Sequence, residues 1–255
     1  MSMTASGSRQ LPWPHCVVII PANNEAADVA SVIGQVQHYT GFPVVVVDDA
    51  SSDDTVARAR HAGAIVIPLA AQLGAWGAIQ AGLRYALANK FQYAITMDAD
   101  GQHEAASLPA LLRPIMDGEA DVTIGACTQR GSLLRKAAWT IMKRISGLSQ
   151  ADLTSGFRVY DRAAILLLAS KQATLLEYQD VGVLFLLQSK GIKIKDVEVS
   201  MLPRRSGISR VFHSWPAVTY YMGYTLLLCI SKRLLFYRGS GARAELPAKR
   251  RACPK

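Results

Sequence analysis

Phe91-Gln92-Tyr93-Ala94-Ile95-Thr96-Met97-Asp98-Ala99-Asp100 decides the reading of this chain: an apolar run that ends abruptly in two carboxylates one residue apart. The run has the composition of a buried strand, which puts Asp98 and Asp100 on an oxygen-rich edge at a strand's carboxyl end. Two like charges held at the border of a core are costly unless a cation compensates them. Oxygen donors, few of them from protein, with positions left for phosphate and water, suit Mg²⁺ or Mn²⁺. A solvated acidic turn has the same composition, so the neighbouring sequence must decide.

Outward from this point, short β-branched runs alternate with stretches of helical apolar spacing. Cys16–Ile20, Val44–Val47, Ala64–Pro68, Tyr93–Met97 and Asp121–Ile124 read as strands; residues 26–38, 54–62, 77–89 and 105–116 read as helices. Strands apolar throughout indicate a sheet buried on both faces, and strand–helix alternation with short connections indicates a parallel α/β sheet. Such sheets bind ligands outside the carboxyl ends of their strands, at a topological switch point. Beyond residue 125 the pattern loosens: a basic helix-prone stretch (Leu134–Ser146), helices near 161–170 and 178–190, and a strand at Ile192–Val199.

The polar clusters fall at strand ends. The first strand ends in Pro21-Ala22-Asn23-Asn24-Glu25, where Pro21 is expected to stop the ladder and the Asn pair suits a turn into a helix. The second ends in Asp48-Asp49-Ala50-Ser51-Ser52-Asp53-Asp54-Thr55. Ser52 or Asp53 suits a helix cap, whereas Asp48 and Asp49 stand at the strand mouth, where a carboxylate can accept from nucleobase N–H or ribose hydroxyl. Gly74-Ala75-Trp76-Gly77 precedes another helix, but neither Gly-Lys-Ser/Thr nor Gly-x-Gly-x-x-Gly spacing occurs, which argues against an ordinary NTPase or dehydrogenase.

The 255 residues carry a net charge of +9, and it is unevenly spread: from Lys232 onward eight Lys or Arg stand against Glu245 alone. A basic tail suits an anionic surface, while the body shows no basic stripe or zinc motif of a nucleic-acid binder. Residues 211–231 contain no Lys, Arg, Asp or Glu, yet Pro216, Gly223 and Trp215, Tyr220, Tyr221 and Tyr224 favour attachment at a membrane interface over spanning. Cys16, Cys127, Cys229 and Cys253 are too dispersed for a metal cluster or disulfide framework, and residues 1–14 lack signal-peptide order, so a cytoplasmic setting is expected.

Taken together, five segments resemble glycosyltransferase family 2, inverting enzymes of the GT-A fold, and within it the polyprenyl-phosphate sugar transferases. They are Ile20–Glu25, Val47–Ser51, Asp98–His103, Thr154–Arg158 and Arg204–Ser209, and the likeness runs from about Val17 to Arg210. It implies an α/β GT-A domain over 15–210, between a flexible 1–14, a membrane-interface helical segment at 211–238 and a basic tail at 239–255.

The resemblance also implies site roles. Pro21, Ala22, Glu25, Asp48 and Asp49 would hold the nucleoside of a nucleotide-sugar; Asp98, Asp100 and Gln102 would gather the metal and the diphosphate. Asp152 and Thr154–Arg158, including Arg158, would shape the sugar and acceptor side, and Arg204 and Ser209 would meet phosphate. Asn23, Trp76 and Gly125-Ala126-Cys127 depart from the family's usual residues. The favoured acceptor is a polyprenyl phosphate met at the inner face of the cytoplasmic membrane, whose ionised oxygen needs no strong base. A sugar hydroxyl would need one, with Asp152 and Asp180 as candidates. A soluble-acceptor transferase and a non-catalytic nucleotide-binding protein are the alternatives.

Overall fold

The computed structural model describes residues 15–127, 148, 150–174 and 179–202, together with Gly223. Expectations for 1–14, for Leu134–Ser146, for Arg204 and Ser209, and for 211–255 lie outside the described residues.

The central strands form where β-branched residues crowd together. β1 (Cys16–Ala22), β2 (Val44–Asp48), β3 (Ile65–Pro68) and β4 (Tyr93–Thr96) are parallel, in the spatial order β3-β2-β1-β4. The sheet continues through β6 (Arg158–Tyr160), β5 (Val122–Ala126) and β7 (Ile194–Glu198); β6 runs antiparallel to both β4 and β5, and β7 is parallel to β5. Consecutive side chains point to opposite faces. Val17 and Ile19 of β1 and Val45 and Val47 of β2 join one apolar core; Val18, Ile20, Val44 and Val46 join another on the opposite face. This explains why these strands are apolar without alternation.

Helices cover both faces. α1 (Val29–Thr40) and α4 (Leu108–Met116) pack on the second face, and α3 (Gly74–Ala88) packs on the first with α5 (Arg162–Leu168) and α7 (Gln179–Ser189). The short α2 (Thr55–His61) lies against α1, and α6 (Lys171–Thr174) follows α5. Side chains of α3 tie down that region: the Trp76 indole N–H donates to Ala173 O (2.8 Å), and the Gln80 amide donates to Leu168 O (2.9 Å). Trp76, unusual for the resembled family, therefore packs as a buried anchor of α6. Among the described residues, no helix is long and apolar enough to cross a membrane.

Two expectations are corrected. Pro21 does not stop the ladder: β1 continues to Ala22, with Pro21 opposite Val47 and Ala22 opposite Asp48. Pairing with β4 ends earlier, where Ile19 O accepts from Met97 N–H (3.1 Å). Two residues on, the N–H that Pro21 lacks would face that same side, where no ladder remains to need it. The strand β6 was also not anticipated; three residues beginning with an arginine give no periodic signal.

Candidate active site

The chain runs from β1 outward to β3, then crosses back to β4 on the other side of β1. The switch point thus lies between β1 and β4, and the turn after β4 is Asp98-Ala99-Asp100.

On one side of that crevice the loops after β1 and β2 are laced together. Asn23 donates from Nδ2 to Asp49 O (2.6 Å), Ser51 Oγ accepts from Asn24 N–H (2.9 Å), and Asn24 Oδ1 accepts from Ser52 N–H (2.8 Å). Thr55 Oγ1 accepts from Glu25 N–H (2.9 Å), and Asp53 Oδ2 accepts from Ala26 N–H (3.2 Å). Burial works against the Asp53 charge, but hydrogen bonds from the Thr55 hydroxyl, Thr55 N–H and Ala26 N–H outweigh it and hold the carboxyl below its usual range. The turns these bonds tie together contain Asn24 and Ala50 at φ +55° and +56°, a left-handed angle that asparagine adopts readily and alanine rarely.

The two adjacent aspartates differ in what they touch. Asp49 is buried and accepts from Leu73 N–H at Oδ1 (2.6 Å) and Gly74 N–H at Oδ2 (2.9 Å), so it fixes the start of α3. This is why that helix begins at Gly74, ahead of the expected residue 77. Asp48 accepts from Ser51 N–H at Oδ2 (3.2 Å); its buried Oδ1 has no partner among the described residues. Pro21 and Glu25 are half-buried at the same mouth, beside buried Ala22.

Across the switch point, Asp98 and Asp100 differ in exposure. The Asp98 side chain is 45% exposed, while Asp100 is 6% exposed and accepts from Gln102 N–H at Oδ1 (3.1 Å). Gly101, at φ +71°, makes the turn that returns Gln102 to Asp100. Beneath Asp98 lies Gly156: a Cβ there would come within 2.6 Å of Asp98 Oδ1 and 3.1 Å of Oδ2. Gly156 is held in turn by its carbonyl, which accepts from the Thr96 hydroxyl (2.7 Å).

The segment leading to Gly156 is shaped from inside. Asp152 Oδ1 accepts from Thr154 N–H (3.0 Å) and Oγ1 (2.9 Å). The buried Arg158 guanidinium donates to Ser155 O (2.8 Å) and Leu153 O (3.0 Å), bracing that loop from below. Past β7 the chain returns to the carboxylate turn: Leu202 N–H donates to Gln102 O (2.8 Å), and Met201 bridges His103. Asp98, Asp100, Gln102 and the 152–158 loop are therefore assembled in one place. Gly156 and His103 stood inside the quoted motifs, but their contact with Asp98 has no signature in residue order.

Among the described residues, no group of three or more His, Cys, Asp and Glu converges to hold a metal ion unaided. Two carboxylates completed by phosphate and water oxygens are what Mg²⁺ takes in phosphate-handling sites. The donors here fit that pattern, with hard oxygens on Asp98 and Asp100, the Gln102 backbone N–H bonded to Asp100, and the Asp98 carboxylate over a glycine that leaves it room.

The sheet order, with this carboxylate turn at its switch point, defines a GT-A fold. It is similar to the crystal structure of glucosyl-3-phosphoglycerate synthase from Mycobacterium tuberculosis in complex with Mn²⁺, uridine diphosphate and phosphoglyceric acid (TM-score 0.63, 20% identity, 86% of this chain and 77% of that one). The model of glycosyl transferase family 2 matches residues 17–167, and the chain belongs to that family. It is 26% identical over 223 residues to polyprenol monophosphomannose synthase of Mycolicibacterium smegmatis, covering 78% of this chain and 82% of that one. It is 28% identical over 213 residues to undecaprenyl-phosphate mannosyltransferase of Micrococcus luteus, covering 76% and 86%.

Proposed function

We propose that this protein transfers a sugar from a nucleotide-sugar to a polyprenyl phosphate by single, inverting displacement, for cell-envelope glycan assembly. The observation that carries the reading is the pair Asp98 and Asp100 at the β1/β4 switch point, in a family member whose relatives are named for polyprenyl-phosphate sugar transfer.

The nucleoside lies along the mouths of β1 and β2, against Pro21, Ala22 and Glu25. Asp48 Oδ1, buried without a partner among the described residues, accepts from the base or ribose. Asp49 contributes by fixing the α3 N-terminus at the edge of this pocket. Asp98, Asp100 and Gln102 are the residues that would hold Mg²⁺ or Mn²⁺ for the donor diphosphate. Bound there, the ion supplies Lewis-acid stabilisation of the charge that the leaving nucleoside diphosphate accumulates. An acceptor phosphate oxygen attacks the anomeric carbon from the side opposite the diphosphate, forming one C–O bond as the other breaks. That oxygen is already ionised, so the chain supplies positioning and charge neutralisation and no strong base. Asp152 and the loop braced by Arg158 border the sugar and acceptor. Arg204 and Ser209, which follow Leu202 in sequence, meet acceptor or donor phosphate.

Residues 15–210 make up the catalytic domain. Residues 211–238, with the basic tail 239–255, hold the enzyme peripherally on the inner face of the cytoplasmic membrane, where its lipid acceptor resides. Truncation after residue 210 tests this assignment. Transfer to polyprenyl phosphate in vesicles falls, whereas a soluble-acceptor transferase would keep its full rate with a water-soluble acceptor.

A further inference from the structure

His103 is among the most buried polar residues described, at 1% exposure, so it cannot touch a substrate. Its Nε2 lies 3.0 Å from Asp98 Oδ2, and its ring stacks on Phe157 with centroids 4.8 Å apart and planes 29° from parallel. Its backbone bridges Met201. The ring is thus held by the turn after β4 and the entry to β6, and the backbone that carries it by the exit from β7. The ring is buried, whereas the Asp98 side chain it contacts is nearly half exposed.

We infer that His103 is a positioning residue that sets the orientation of the Asp98 carboxylate for the divalent cation, an inference resting on the metal site proposed above. A carboxylate only accepts, so Nε2 carries the hydrogen and donates it to Oδ2. Nδ1 is buried without a partner among the described residues. Left as a bare lone pair it costs less than an unpaired buried N–H, which favours the same Nε2–H tautomer. With Oδ2 held by His103 and Oδ1 lying over Gly156, the carboxylate keeps one orientation before any ligand arrives. Outer partners of metal-binding side chains act in this way: they remove the rotamer freedom that the ion would otherwise have to freeze.

The test uses the full-length protein and Mn²⁺ alone, with free ion read by electron paramagnetic resonance. Wild type, Asp100→Ala, His103→Asn and His103→Gln are compared, and each is melted without metal to establish that it folds. A glutamine amide reaches the Nε2 position and an asparagine amide does not. His103→Asn is expected to weaken Mn²⁺ binding by about 10- to 100-fold, and His103→Gln to recover most of that loss. Wild-type affinity in His103→Asn overturns the inference, as does a His103→Gln variant as weak as His103→Asn. Mn²⁺ binding that Asp100→Ala leaves untouched overturns the metal site itself, and this inference with it. Should His103→Asn fail to fold, ¹⁵N resonances of the wild-type imidazole decide. Nε2–H with an Nε2 shift on adding Mg²⁺ supports the assignment, and Nδ1–H overturns it.

Discussion

Replacing Gly156 by alanine puts the geometry of the carboxylate turn to a quantitative test. The new methyl carbon would lie 2.6 Å from Asp98 Oδ1, which is about 0.8 Å inside an ordinary 3.4 Å contact. Gly156 does not need a glycine-only backbone angle, so the clash is the whole perturbation. The atom in the way ends a half-exposed side chain, which can yield by a rotation of roughly 20° at a cost of about 1 kcal/mol. Melting should therefore fall by only about 2–4 °C for a chain of this size. Function should fall much further, because the same rotation takes Oδ2 off His103 and both oxygens off the position proposed for the cation. A loss of about 10- to 100-fold in apparent metal affinity is expected, read from transfer rate against Mn²⁺ concentration. An unchanged metal requirement in Gly156→Ala would refute the reasoning. So would a collapse of thermal stability, which would mean that the backbone gives way and Asp98 does not.

Three further outcomes follow from the same structure. Asp49→Ala removes two charge-assisted bonds from the start of α3; because Leu73 and Gly74 are exposed and water can replace the carboxylate, the loss should be about 2 kcal/mol in urea unfolding, with Asp49→Asn near half of it. Asp53 has its carboxyl held below the usual range, so its contribution is complete above that range and disappears as pH falls through the folded-state value. The stability gap between wild type and Asp53→Asn should accordingly shrink in acid, and a gap that widens there would contradict the hydrogen-bond account. Burial pushes the Cys16 thiol up to about 12, so iodoacetamide should spare Cys16 in the native protein while reaching the partly exposed Cys127, as peptide mass spectrometry would show.

Much of the sheet was legible because its central strands β1 and β2 are buried on both faces. Val44 to Val47 and Val17 to Ile20 cannot be mistaken for surface, and the polar residues that follow them had to stand at the mouth. Asp98 and Asp100 were legible for the same reason, as charges at the end of a buried strand. What the sequence hides is the partner. Asp49 looks identical whether it meets a nucleoside or, as here, the backbone of residues 73 and 74. Arg158 reads as a residue of the sugar and acceptor side until its guanidinium is seen bonded to two carbonyls. The contact of His103 with Asp98 depends on the backbone reversal at Gly101, and that of Gly156 on β6 inserting antiparallel beside β4. Neither a single left-handed angle nor a three-residue strand leaves a periodic trace.

The central claim is that Asp98 and Asp100 form a metal-dependent diphosphate site serving a lipid phosphate. The most direct measurement follows labelled sugar from a panel of nucleotide-sugars into polyprenyl phosphate, with full-length wild type and Asp100→Ala, in Mg²⁺ and after chelation. The account predicts label in the lipid fraction for wild type with Mg²⁺, and none after chelation or with a folded Asp100→Ala. Undiminished transfer in the chelated enzyme or in Asp100→Ala would contradict it.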